Sequence, residues 1–169
     1  MKYVGYGFVI ILALALQTVS PGITLFGFRP ELILLLTLSL AMLEQTGVAA
    51  GFGFVSGLLQ DALIGQFIGL YAGTYLLMAI LVGFLTRRLY KENLLVRFAA
   101  IFLGTVLGQI LYLSGAASFG LSNPWSWGLW SAILGTGFFN GTIGVLLYRP
   151  LAALNKRLVY LDELLKRTG

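Results

Sequence analysis

The sequence predicts an all-α membrane protein, a bundle of about six transmembrane helices, and three observations carry that prediction. Of 169 residues, 59% are hydrophobic and only 10% are charged, and the mean hydropathy is +0.93. A water-soluble domain of this size has too little interior to hide so much apolar side chain. The apolar residues gather into six stretches, each bounded by charge, Pro or Gly. The basic residues between them fall almost entirely on alternate loops, the pattern of helices oriented in a bilayer.

The first stretch, Tyr3 to Val19, follows Lys2 and precedes a Ser-Pro-Gly break. It reads as an uncleaved helix, because the small-x-small pattern Ala13-Leu14-Ala15 lies inside the apolar core and not after it, where a signal peptide would be cut. The second stretch, Leu32 to Leu43, falls short of the roughly 20 residues needed to cross the hydrocarbon core at about 1.5 Å each. The third, Val48 to Ile64, is borderline. Both are read as tilted, thin or re-entrant, and treating the pair as one re-entrant hairpin leaves the sidedness of everything downstream unchanged. The remaining stretches are Ile68 to Thr86, Leu94 to Ala117 and Trp127 to Tyr148.

With no Pro, Ser or charge run to serve as a linker, residues 1–150 form one transmembrane domain, and residues 151–169 a cytosolic amphipathic tail helix. In the tail Leu151, Leu154, Leu158, Leu161 and Leu165 alternate at spacings of three and four. Lys156, Arg157, Asp162, Glu163, Lys166 and Arg167 lie off that stripe. A helix resting on anionic lipid headgroups has this pattern. The stripe is also a heptad seam for a partner or a homodimer, over barely two heptads.

Orientation follows from the short loops. With the N-terminus inside, one side carries Lys2, Arg87, Arg88, Lys91, Arg97, Arg149, Lys156, Arg157, Lys166 and Arg167; the other carries only Arg29. The ten-to-one split places both termini in the cytoplasm. The uncharged loop from Gly115 to Gly128 holds Trp125 and Trp127, as befits an outer interface. A net charge of +5 is therefore a matter of membrane orientation and not of nucleic-acid binding.

The chain has no cysteine and no histidine, which removes thiolate nucleophiles, Cys/His zinc sites and the commonest general base. No catalytic residue, cofactor or metal ligand is predicted. Gly51, Gly53 and Gly57 make no dinucleotide fingerprint, since no strand precedes them. Near-membrane ionisable groups are the remaining candidates, a charge at the bilayer centre costing at least about 2.5 kcal/mol; they are Arg29, Glu31, Glu44 and Asp61. Arg29 and Glu31 flank Pro30 at the outer start of the second stretch, where an acid complements the helix macrodipole and the pair is also placed to meet a partner. Asp61, near the outer end of the third stretch, reads as a carboxylate bonding the backbone amides of the following turn, the sharper alternative being a proton or cation site. Gly53 and Gly57, Gly104 and Gly108, and Gly137 and Gly141 each make a small-xxx-small pair, suited to packing inside the bundle or to docking the helix of another protein. Gln17, Gln109 and Asn140 are positioned to bond across helices.

Arg29-Pro30-Glu31-Leu32 with its leucine run, the segment Gly51 to Asp61, then Gly65, Gly69-Leu70 and Tyr75 together resemble the rod shape-determining protein MreD family. Motifs carry the resemblance over residues 28–86, general character over the rest, and Glu31 stands where Asp is expected more often. The resemblance implies a multi-pass protein of the bacterial inner membrane without catalytic residues. It implies binding to MreC and, through MreC, a link to MreB filaments, the polymerase RodA and its transpeptidase. It also implies an architecture similar to the S-components of energy-coupling vitamin transporters, so a vitamin-binding S-component is the alternative function. That alternative needs convergent polar groups in a pocket, and the outer half offers few beyond Asp61, Gln60, Gln66 and Ser56.

Overall fold

The structure, a computed structural model, describes residues 2–19, 30–64, 67–87, 93–120 and 126–168. These residues form six helices: α1 (Lys2–Val19), α2 (Leu32–Leu43), α3 (Thr46–Ile64), α4 (Leu70–Arg87), α5 (Leu94–Ser118) and α6 (Trp127–Thr168). Among the described residues there is no strand.

Helix α2 is the axis of the bundle. Ten of its twelve residues are buried, and it packs against each of the other five helices. A leucine-rich helix with no polar face is suited to complete burial, and here its neighbours surround it. At about 18 Å it is far shorter than the roughly 30 Å hydrocarbon core, and the reason is visible at its start. The N–H of Glu31 bonds Asn140 Oδ1 at 3.2 Å, and Asn140 lies about 20 Å along α6 from Trp127. Helix α2 therefore begins inside the bundle and not at its surface.

Four helices among the described residues are long and apolar enough to cross a membrane: Thr46–Ile64, Leu70–Arg87, Leu94–Ser118 and Trp127–Tyr160. The third stretch, borderline by sequence, gains Thr46 and Gly47 and reaches full length. Helix α2, with 12 residues, is shorter than each of the other five.

Glycine decides how closely the long helices approach. A Cβ on Gly57 would stand 2.5 Å from Ala72 Cα, and one on Gly53 2.7 Å from the Tyr75 carbonyl oxygen, so α3 and α4 meet backbone to backbone. Gly104 and Gly108 accept Leu38 and Leu34 of α2. Gly137 and Gly141 accept Val106, Phe102 and Phe98 of α5. Each of the three small-xxx-small faces is filled by this chain.

Helix α6 runs through Pro150 without ending, so the tail continues the last span. Its first turns have their own seat: Leu151 and Ala152 pack against the core, and Leu158 covers Gly5 of α1. Of the leucine stripe, Leu151 thus meets the core and Leu158 meets α1, while Leu154 stays exposed.

Candidate functional site

The few polar side chains of so apolar a chain must find partners inside it, because an unpaired polar group in hydrocarbon costs several kcal/mol. Asp61, only 2% exposed, shows how. Its Oδ2 accepts from the amides of Gly69 (2.9 Å) and Ala72 (3.1 Å), and its Oδ1 from the amide of Tyr71 (3.0 Å). The first N–H groups of any helix lack intrahelical acceptors, and Asp61, reaching across from α3, supplies them for α4. The turn depends on Gly69, whose φ of +97° lies in the left-handed region. Gly65, expected in that turn, lies outside the described residues.

Glu31 precedes α2 as its cap residue, but its side chain makes no capping bond. Its carboxyl is hydrogen-bonded by Gln109 of α5, and its backbone is clasped by Asn140. The Asn140 amide accepts from Glu31 N–H and donates to Glu31 O (3.3 Å) and to Thr105 Oγ1 (3.2 Å). Gln17 of α1 accepts from Ile33 N–H at 3.4 Å. The inward start of α2 is thus held from α1, α5 and α6 at once. Pro30 precedes this clasp, and Arg29 lies outside the described residues. Replacing Asn140 with leucine is expected to cost about 1–3 kcal/mol, read as a lower melting temperature in detergent; an unchanged melt would show that the clasp contributes nothing.

Tyrosines join the two carboxylates. Tyr71 stacks on Tyr112 with centroids 4.0 Å apart, and both Glu31 and Asp61 lie within electrostatic reach of Tyr71 and Tyr75. The Tyr75 hydroxyl, 1% exposed, has no hydrogen-bond partner among the described residues. The spacing of four between Tyr71 and Tyr75 places both on one helix face, but nothing in the sequence says that Glu31 and Tyr112 meet that face.

At the opposite, basic end a second network ties α1 to α6. The one proton of the Tyr6 hydroxyl is shared between two acceptors, Glu44 Oε1 at 2.6 Å and Asn155 Oδ1 at 2.7 Å. Arg97, 8% exposed, places its guanidinium 4.1 Å from the centre of the Tyr148 ring, an energetically favourable cation–π contact. Glu44 is identifiable from the sequence as a near-membrane acid, whereas Asn155, placed in the tail by its position, shows no sign there of reaching α1.

No group of three or more His, Cys, Asp or Glu side chains suited to a metal occurs among the described residues. Asp61 has its oxygens turned to three backbone amides, Ser56 bonds Thr37 Oγ1 (3.1 Å) and the Gly53 carbonyl (3.0 Å), and the clasp around Glu31 joins four helices. The arrangement organises a membrane bundle.

Compared with known proteins, residues 1–157 match the family model described as rod shape-determining protein MreD. No curated protein and no solved structure matches the chain.

Proposed function

This chain belongs to the rod shape-determining protein MreD family, whose role is in rod shape determination, and from that premise we propose that it is a non-catalytic membrane scaffold that binds MreC. Through MreC it links the peptidoglycan elongation machinery, RodA and its transpeptidase, to MreB filaments. The observation that carries the reading is the family match along 157 of 169 residues. Supporting it, the polar groups described above serve the fold, and the outward faces are apolar, as association with another membrane helix requires.

The ten-to-one distribution of Lys and Arg supports an inner-membrane protein with both termini in the cytoplasm. A C-terminal reporter that works only in the cytoplasm is expected to be active; activity of a periplasmic reporter instead would reverse the orientation. The function is tested by detergent pull-down from native membranes with a tagged chain, followed by mass spectrometry of proteins and small molecules. Near-stoichiometric MreC without a retained metabolite is the expected result. Recovery of an energy-coupling transmembrane subunit or a bound vitamin, without MreC, would overturn it in favour of an S-component.

A further inference from the structure

Helix α2 begins well inside the bundle, and it begins with an acid. Gln109, which bonds the Glu31 carboxyl, lies about 18 Å along α5 from Arg97 and about 14 Å from the outer end of that helix at Ser118. Asn140, which holds the Glu31 backbone, lies about 14 Å along α6 from Arg149. The carboxyl therefore stands within the roughly 30 Å hydrocarbon core, away from both headgroup layers. An ionisable group at that depth is costly unless something answers its charge. Every Lys and Arg among the described residues lies at the basic end, and none of them forms an ion pair with Glu31. Nor do the first amides of α2 answer it, since the side chain makes no capping bond.

Asp61, the other acid on this side, is satisfied: three amides at the positive end of α4 take its two oxygens. Glu31 has one side-chain donor, Gln109, for a carboxylate that offers about four lone-pair sites. A second polar group is left over beside it. Of the three tyrosines gathered here, Tyr71 and Tyr112 bond each other, whereas the buried Tyr75 hydroxyl bonds nothing among the described residues. Glu31 is the charge with the largest electrostatic effect on Tyr75, so the orphan oxygen and the carboxylate face one space. A buried polar atom without a partner calls for an explanation, and a bound ion is one. Glu31, Gln109, Tyr71 and Tyr112 are each only partly buried, which leaves the carboxyl reachable without parting the helices.

We propose that the bundle holds a single monovalent inorganic cation, Na+ or K+, between the Glu31 carboxylate and the Tyr75 hydroxyl. All the donors are oxygens, which suits a hard cation. One unanswered negative charge is matched by one positive charge; a divalent ion would leave net charge in hydrocarbon, and the described residues hold no group of three acids for it. An anion would meet two carboxylates. The cation reading that the sequence offers for Asp61 thus passes to Glu31, where the ion would complete the clasp around the start of α2. The proposal goes beyond binding to MreC and does not depend on it.

The test is the melting temperature of the purified full chain in detergent, in sodium or potassium chloride against N-methylglucamine chloride of equal ionic strength. At about a hundred times its dissociation constant the alkali cation is expected to raise the melting temperature by about 5–10 °C. Glu31→Gln keeps the bulk but not the charge and is expected to abolish the response; Glu44→Gln, at the basic end, should keep it. Tyr75→Phe separates a ligand from a packing residue. It removes a hydroxyl with no bond among the described residues, so it should melt as the wild type does in N-methylglucamine chloride yet need roughly tenfold more alkali cation for half its response. Equal melting of the wild type in all three salts would overturn the proposal, being the result expected if a proton or another cationic group neutralises the carboxyl. A response undiminished in Glu31→Gln or in Tyr75→Phe would overturn it as well, by placing the ion elsewhere. Should Glu31→Gln fail to fold, Tyr75→Phe decides alone.

Discussion

Gly57→Ala is expected to destabilise the protein by about 3 kcal/mol or more, at or beyond the upper end of ordinary overpacking, and Gly57→Leu to leave no recoverable folded protein. The added methyl would stand 2.5 Å from Ala72 Cα, 2.6 Å from its N and 2.6 Å from the Tyr71 carbonyl oxygen. All three are backbone atoms, so no rotamer change relieves the contact. Helices α3 and α4 would have to separate by about 1 Å to restore normal carbon–carbon distances, and this is the most extensively contacting helix pair in the bundle. At roughly 2–4 °C per kcal/mol for a chain of this size, the melting temperature of Gly57→Ala in detergent should fall by about 10 °C. Gly51→Ala, one and a half turns away in open space, is the control and should melt as the wild type does. Equal behaviour of the two variants would refute the close approach of α3 and α4 at Gly57.

Asp61→Ala is expected to cost about 3–6 kcal/mol. It leaves three amides, those of Gly69, Tyr71 and Ala72, without their acceptor, and an orphaned buried donor costs about 1–3 kcal/mol. Asp61→Asn keeps one acceptor oxygen but turns an N–H toward an amide that is itself a donor, so its loss should be intermediate. Backbone hydrogen exchange gives the specific readout: in Asp61→Ala the amides of residues 69, 71 and 72 should exchange faster, while those of α5 keep their protection until global unfolding. Wild-type exchange at these positions would show that the carboxylate is dispensable for the start of α4.

Both predictions begin from residues that stand out in the sequence, and they show how far it can be read. Asp61 is legible as an acid at the end of an apolar segment followed by a turn, and its bonding to backbone amides follows from helix chemistry alone. Which amides, and that they belong to the next helix, required the turn around Gly69 to close. Gly57 is legible as half of a small-xxx-small pair, a local property of spacing; that the face belongs to α4 and not to another protein is a non-local fact. Glu31 differs most from its local reading. Its place before a helix suggests a cap, yet Gln109 takes its carboxyl and Asn140 its backbone, from 78 and 109 positions along the chain.

Apolar content, period and the segregation of Lys and Arg determined by themselves that this chain is a helical membrane bundle, where its membrane helices begin to within a few residues, and which end of the bundle is basic. These properties are sums or spacings over neighbouring residues, and the bilayer selects on them directly. Only the tertiary structure decided that the shortest segment is the central one, that the last helix passes through Pro150 to brace α1, and that Gly7, Gly47 and Gly51 line a groove while Gly53, Gly57, Gly104, Gly108, Gly137 and Gly141 are packed. A glycine reads the same whether its missing side chain makes room for this chain or leaves an opening. The difference lies in what stands opposite, and in a bundle nearly every residue opposite comes from another helix.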